Sequence, residues 1–525
     1  MHDESESEKN MPHQQSHASL TASAGRLTIA DLFAQQVRQS KDQVALEDQH
    51  KQISYAQLDD RVNRLSNALL ALGMERGDRI AVLSENRTEY VELELAAAKL
   101  GVILACQNWR QSDEELRYCI QLVSPRLLFT SERFIEVAAR IGHGVPASLH
   151  FGPAYETMLA DAAASAPDSS GLDPEDGLII LYTSGTTGMP KGALISQRAM
   201  VARGMISRID SPVQPGDTFI AWAPLFHMVS TDPVFGTLTH GGKVIVMDGL
   251  DVKRLVEITA REQVGHLTLM PGMIDRVIDE LNRSGLKPKG ARVIGCMADL
   301  VPLDQIAKIT GFYQAPYRNS FGSTETGSAP ASRGSIAIGV IPERLSKLQN
   351  SYCSVRLVDE DDNEVPDGMP GELAFRGPSL FSGYWGNPEA NARDFRNGAF
   401  HMGDVFVRNP DGSLDFVDRR KYLIKSGGEN IYPAEIERVL LACERVLDAV
   451  VVRKPDSRWG EVPVAFVVKA DQTLTTEEVL AQCRGKIASY KLPKEVVFIS
   501  ADDVPRSATG KVKRHELETK LKADA

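Results

Sequence analysis

Four Ser/Thr hydroxyls, three glycines and one lysine fall within the stretch Tyr182-Thr183-Ser184-Gly185-Thr186-Thr187-Gly188-Met189-Pro190-Lys191-Gly192. Glycines let a backbone bend until successive N–H groups converge, and such a nest binds phosphate oxygens. Hydroxyls add donors at its rim, and a lysine adds a point charge. A Gly/Thr surface turn has a similar composition. The nucleotide loop G-x-x-x-x-G-K-[ST] is excluded, because Pro190 and Gly192 stand where glycine and Ser/Thr are needed. The apolar run Leu178-Ile179-Ile180-Leu181 reads as a buried strand leading into the loop.

The elements that must hold this loop belong to a chain of 525 residues, too long for one compact core, so two or more domains are expected. From about residue 27, helix and strand patterns alternate, as in layered α/β structure. Apolar spacing predicts helices over 61–72 and 89–100 and strands over 79–83, 102–105 and 126–130. Residues 160–175 read as a surface connection. Short β-rich runs at 218–223, 243–247, 266–270 and 292–296, with helices between them, predict a mainly parallel, covered sheet. From 354 to 417, Asp-Gly, Pro-Gly and Asn-Gly turns suggest a β-rich subdomain. The remainder reads as a small α+β unit, with helices over 433–443 and 477–487 and strands over 447–453 and 463–469. The expected division is a tail over 1–25, a large domain over 26–417 and a small one over 418–525, parted at Asp418-Arg419-Arg420-Lys421.

A net charge of −11 argues against a general nucleic-acid binder. The six cysteines are scattered without a C-x-x-C pair, which speaks against a zinc site or disulfide framework and fits a reducing compartment. The first two dozen residues lack the apolar segment of a secretory signal and read as a disordered tail. The longest apolar stretch, 95–106, is too short to span a membrane. The C-terminal Lys-Ala-Asp-Ala is not a peroxisomal address. A cytoplasmic protein is the expectation.

Further motifs follow the loop. They are Ala223-Pro224-Leu225-Phe226-His227, Asn319-Ser320-Phe321-Gly322-Ser323-Thr324-Glu325-Thr326-Gly327, Gly371-Glu372-Leu373-Ala374-Phe375-Arg376-Gly377, Gly383-Tyr384-Trp385-Gly386-Asn387-Pro388 and His401-Met402-Gly403-Asp404. The last part adds Lys425-Ser426-Gly427-Gly428-Glu429-Asn430 and Pro505-Arg506-Ser507-Ala508-Thr509-Gly510-Lys511. In this order, and over nearly the whole chain, they resemble the adenylate-forming superfamily of acyl-CoA synthetases, adenylation domains and luciferases. The resemblance implies an ATP-dependent carboxylate–CoA ligase with two half-reactions. A carboxylate attacks the α-phosphate of ATP and releases pyrophosphate, and coenzyme A then displaces AMP. The attacking group is already ionised, so the protein's task is positioning and charge stabilisation.

The resemblance also implies roles. Thr183, Ser184, Gly185, Thr186, Thr187, Gly188 and Lys191 would hold the β- and γ-phosphates. Phe321 would stack on adenine, with Gly322 beside it, and Thr324 would touch phosphate. Glu325, with Thr187, would ligate Mg²⁺. Asp404 would accept from both ribose hydroxyls, assisted by Arg419. Lys511 is the expected catalytic cation between carboxylate and α-phosphate, and an acetyltransferase that neutralised it would act as a switch. Lys421 matches the hinge about which the small domain turns, bringing Gly427, Gly428 and Lys425 to coenzyme A. His227 would gate the acyl pocket, lined by Met228, Val229 and Ala298 with Ser230, Thr231 and Ser328. The chain departs from the usual pattern at Gly295-Cys296-Met297-Ala298-Asp299, Met402 and Tyr422.

His227 stands where amino-acid activators usually place an aspartate, which favours an acid without an α-amino group. No cation is evident among the expected pocket residues, which favours a monocarboxylic acid, aliphatic (fatty) or aromatic. A stand-alone enzyme loading a carrier protein, a luciferase-like oxygenase and a catalytically inactive nucleotide-binding regulator are the alternatives. The expected partners are the acid, ATP, Mg²⁺ and coenzyme A, with a homodimer left open.

Overall fold

The computed structural model describes residue 21 and residues 24–523, apart from 143, 184–188, 428 and 507–511. Most of the tail expected over 1–25 lies outside the described residues.

Two sheets enclose the first core. The six-stranded one runs in the order Ala147–His150, Leu127–Thr130, Arg79–Leu83, Ile103–Cys106, Gly177–Thr183, Lys191–Ser196, parallel except for the last strand. Its inner strands are short, continuously apolar and buried, as a parallel sheet covered on both faces requires. The eight-stranded sheet runs Ser335–Ile336, Tyr317–Arg318, Ala291–Ile294, Val264–Leu267, Thr218–Ala221, Lys243–Val246, Val44–Glu47, Gln52–Ser54, and only its two edge strands are antiparallel. Between the sheets lies the helix Thr88–Leu100, in which every residue is buried, together with Val234, Phe235 and Leu238 of the helix Met228–Leu238. A second core covers the other face of the eight-stranded sheet, beneath the helices Val252–Arg261, Ile274–Ser284 and Leu303–Tyr313.

Several boundaries differ from the sequence reading. The helix expected over 61–72 is Tyr55–Ala71, starting at a capping box in which Ser54 and Gln57 bond each other's backbone; that Ser-x-x-Gln signal was legible. The strand expected over 266–270 is Val264–Leu267; beyond it the Thr268 carbonyl accepts Trp222 Nε1 at 3.0 Å. The helix expected over 477–487 ends at Cys483, where Arg484 turns extended and Gly485 takes a positive φ.

An antiparallel sheet of Ser354–Val358, Pro370–Arg376, Phe395–Arg396, Ala399–Arg408 and Leu414–Arg419 follows. One 3₁₀ turn, Arg420–Tyr422, separates it from a last sheet of Ile424–Ser426, Glu429–Ile431, Val446–Asp456, Gly460–Lys469 and Glu495–Ile499. The long strands of that last sheet alternate. Val451, Ala465 and Val467 face the helices Pro433–Leu441 and Thr476–Cys483, while Val450, Val452, Val464 and Phe466 face the helix Arg514–Ala523. The molecule is thus a large N-terminal α/β part with mixed sheets and a smaller C-terminal α+β part. No helix among the described residues is long and apolar enough to cross a membrane.

Candidate active site

One cleft of about 3440 Å³ gathers most of the predicted residues: Thr183, Lys191, His227, Met228, Val229, Phe321, Gly322, Thr324, Glu325, Ser328, Asp404, Arg419 and Lys421. Ser184, Gly185, Thr186, Thr187, Gly188, Gly428 and Lys511 lie outside the described residues. Arg506, Val512 and Lys513, which flank residue 511, line the same cleft.

At one end, the strands Gly177–Thr183 and Lys191–Ser196 pair with Thr183 opposite Lys191, so the two ends of the glycine-rich stretch meet on a rigid ladder. Thr183 Oγ1 is buried without a hydrogen-bond partner among the described residues, a donor suited to a ligand's phosphate oxygen. Lys191 Nζ lies 3.6 Å from the centroid of the Tyr384 ring and 3.6 Å from Asp394 Oδ2. Burial pushes this lysine below its ordinary pKa, against the pull of Asp394 and Glu325. The Tyr384 hydroxyl donates to Glu325 Oε1 at 2.8 Å, and Phe381 N donates to the Glu325 carbonyl at 2.8 Å. Tyr384 thus touches both charges of this end, a contact the sequence reading did not assign. Among the described residues no group of three or more His, Cys, Asp or Glu side chains gathers to hold a metal. Glu325, fixed at one oxygen, could offer the other to a cation that arrives with phosphate.

Gly322 has no substitute: a Cβ there would lie 2.1 Å from the Gly327 carbonyl oxygen. The neighbouring Phe321 packs edge-on against Phe406 at 4.7 Å and tilted against Phe416 at 5.7 Å. Asp404 and Arg419 are cross-strand partners, with Arg419 Nε 3.1 Å from Asp404 Oδ1. Asp404 is 2% exposed, and its charge raises the Arg419 guanidinium further.

In the turn that follows, Arg420 donates to Glu372 at 2.6 Å. Burial would raise the Glu372 carboxyl, but His401, Arg420 and Arg396 outweigh it and hold the group at about 2. Asp418 accepts from Ala434 N at 2.8 Å, tying the start of the helix Pro433–Leu441 to the turn. Gly427 and Lys425 do not line the cleft. Gly427 takes a positive φ against the Trp459 ring, and Lys425 is an exposed side chain 3.1 Å from Glu360.

At the other end, His227 caps the helix Met228–Leu238, its Nδ1 accepting from Val229 N at 3.2 Å. That nitrogen therefore carries no proton in this arrangement. Three expected pocket residues are elsewhere. Ala298 is buried in the second core, and Ser230 and Thr231 turn inward to donate to the Ala223 and Leu225 carbonyls at 2.7 and 2.5 Å. The cleft is also lined by residues the sequence reading did not assign, including Trp222, His266, Arg208 and Arg318. Two arginines that the monocarboxylic expectation did not weigh, Arg208 and Arg318, thus line the cleft. Arg203, 3% exposed, links both ends. It donates to the Thr324 carbonyl at 2.9 Å and the Ser379 carbonyl at 3.1 Å, and it pairs with Asp232 of the helix after His227 at 3.2 Å. Burial raises Asp232 while Arg203 opposes that shift.

Known proteins resemble this chain in sequence and fold. Residues 33–385 match the family described as AMP-binding enzyme, and residues 435–511 match the AMP-binding enzyme C-terminal domain. The chain is 33% identical to indoleacetate–CoA ligase from Aromatoleum aromaticum, over 89% of this chain and 93% of that protein. It is 32% identical to feruloyl-CoA synthase from an Amycolatopsis species, over 89% and 94%. The fold matches o-succinylbenzoate CoA synthetase from Bacillus subtilis in complex with its acyl-adenylate intermediate, with a TM-score of 0.82, 26% identity and coverage of 93% and 97%. With its loop hairpin, its Asp404–Arg419 pair and its small C-terminal part all in place, the chain belongs to the AMP-binding enzymes, the adenylate-forming superfamily that includes the acyl-CoA synthetases.

Proposed function

We propose that the protein is an ATP-dependent carboxylate–CoA ligase. The observation that carries this reading is the single cleft on which Thr183, Lys191, Glu325 and Asp404 meet both His227 and the residues flanking 507–511. In the first step an oxygen of the acid attacks the α-phosphorus, the bond to the bridging oxygen breaks, and pyrophosphate leaves with that electron pair. In the second, the thiol sulfur of coenzyme A attacks the acyl carbon and AMP leaves.

In this reading Thr183, Ser184–Gly188 and Lys191 hold the leaving phosphates, and Thr324 assists. Glu325 with Thr187 would hold a Mg²⁺ brought in with ATP, which would offset phosphate charge. Phe321 and Gly322 receive adenine, and Asp404 and Arg419 receive ribose. Lys511 neutralises the charge between carboxylate and α-phosphate. His227, Met228 and Val229 face the acyl group. Gly427 and Lys425 lie off the cleft while the neighbours of Lys511 face it. Binding of coenzyme A by Gly427, Gly428 and Lys425 thus requires the part after residue 417 to turn about Lys421. The relatives' names, indoleacetate and feruloyl among them, favour an aromatic acid over a fatty one. A cytoplasmic setting accords with six unpaired cysteines.

The test is pyrophosphate release by the full chain over short, long and aromatic acids, with and without coenzyme A. Release with an acid, followed by AMP formation only when coenzyme A is present, is expected. Turnover of amino acids alone, or indifference to coenzyme A, would overturn the reading in favour of carrier-protein loading. ATP binding without release would favour an inactive regulator.

A further inference from the structure

The cleft that takes in His227 is also lined by residues outside the motifs quoted above. His266 and Arg318, each on a strand of the eight-stranded sheet, line the cleft, and so do Thr268 and Ser320 just beyond those strands. The helices Gln197–Ile209 and Met228–Leu238 also line this part, and they meet through Gly204 and Gly236. A Cβ at Gly204 would lie 3.9 Å from Gly236 Cα, so neither glycine places a side chain in the space.

Arg318 is 5% exposed. Its Nε donates to the Ser332 carbonyl at 3.0 Å, but its Nη2 is buried with no hydrogen-bond partner among the described residues. No carboxylate forms an ion pair with it among the described residues. Asp210, whose charge reaches it, accepts from Asn350 Nδ2, Ser351 N and Ser351 Oγ at 2.8, 2.9 and 2.6 Å instead. His266 Nε2 is engaged with the Gly295 carbonyl at 2.8 Å, and no hydrogen bond joins its ring to Arg318 among the described residues. Arg208, on the same wall, also has a buried Nη1 without a partner among the described residues. A buried guanidinium N–H left unsatisfied is costly, and native structures keep such groups where a ligand or water completes them.

We propose that Arg318 is a second recognition point for the acid: it donates to an oxygen acceptor, keto or carboxylate, at the end remote from the reacting carboxylate. The proposal rests on the ligase reading and deepens it. Arg318 lies outside the motifs that hold the nucleotide, so its contribution is to the choice of acid and not to adenylation itself. Were it only a brace for the Ser332 segment, its loss would lower stability and turnover of all acids alike.

Matched acids that differ only at the remote end, as methyl, keto or carboxylate, separate these roles when compared by pyrophosphate release with the full chain. The keto or the carboxylate member should exceed the methyl member in kcat/KM by roughly 10- to 100-fold. Arg318→Met should bring that ratio near one while the KM for ATP holds. Whichever of keto and carboxylate ranks first identifies the charge of the acceptor. A wild-type ranking that is flat or favours methyl overturns the proposal, and needs no variant to do so. A preference that persists in folded Arg318→Met overturns it as well. Silence with every acid is a different result: it sinks the ligase reading, and the subsite with it.

Discussion

The two ends of the cleft are built by different means. At the end we assign to the nucleotide, backbone geometry sets the placement: Gly322 because a Cβ would strike the Gly327 carbonyl, Thr183 and Lys191 because a hairpin register sets them opposite each other, Asp404 and Arg419 because adjacent strands do the same. At the end we assign to the acyl group the lining is drawn from separate segments, Arg318, His266 and Trp222 among them. A backbone-defined site admits few sequences, whereas a side-chain-defined volume admits many. One end therefore marks a superfamily, and the other is free to mark a substrate.

The sharpest way to break that contrast is through Arg203, the side chain that braces both ends. Arg203→Ala leaves Asp232 buried and uncompensated, and stability should fall by roughly 3–5 kcal/mol, read by urea denaturation. The KM values for ATP and acid should rise together. A rise in only one would show that the ends do not share this brace. Tyr384→Phe should act on one end alone: losing the hydrogen bond to Glu325 should lower kcat/KM for ATP roughly tenfold with the ranking of acids unchanged. An altered ranking would mean the nucleotide end reaches into substrate choice.

The smallest effect at neutral pH belongs to His266. Burial, with Arg318 nearby, pushes it down from 6.5 to about 4. Between those values the unfolded chain binds more protons than the folded one, so stability is full above pH 6.5 and is lost as pH falls toward 4. His266→Gln should flatten that slope in denaturation curves taken from pH 7 to pH 4. Equal slopes in the two proteins would show that His266 titrates as a solvated histidine.

Legibility in the sequence follows the same division. Buried apolar strands such as Arg79–Leu83 and the hydroxyl–glycine stretch could be read because residue type follows directly from position. Ala298 was expected on the pocket and is in the second core, because a 3₁₀ turn over Ala298–Leu300 tucks it under the sheet. Ser230 and Thr231 were expected there too, but each satisfies its hydroxyl within its own helix and the preceding turn. Arg318 gave no signal, since a short strand with one arginine reads as a surface strand until its neighbours are known. Tyr384 lay inside a motif already quoted, and only its distance to Glu325 gives it a task.

The strand Leu414–Arg419 ends on the partner of Asp404, and the turn Arg420–Tyr422 begins at the next residue. Under the proposed rotation about Lys421, a ligand that grips Asp404 would act on the anchor of the pivot through one hydrogen-bonded ladder, with no intervening loop. Coupling of that kind is reciprocal: by whatever factor bound nucleotide favours one orientation of the small part, that orientation tightens the grip on nucleotide. The moment at which AMP escapes would then be set by the swing itself, which makes product release a clock for the catalytic cycle.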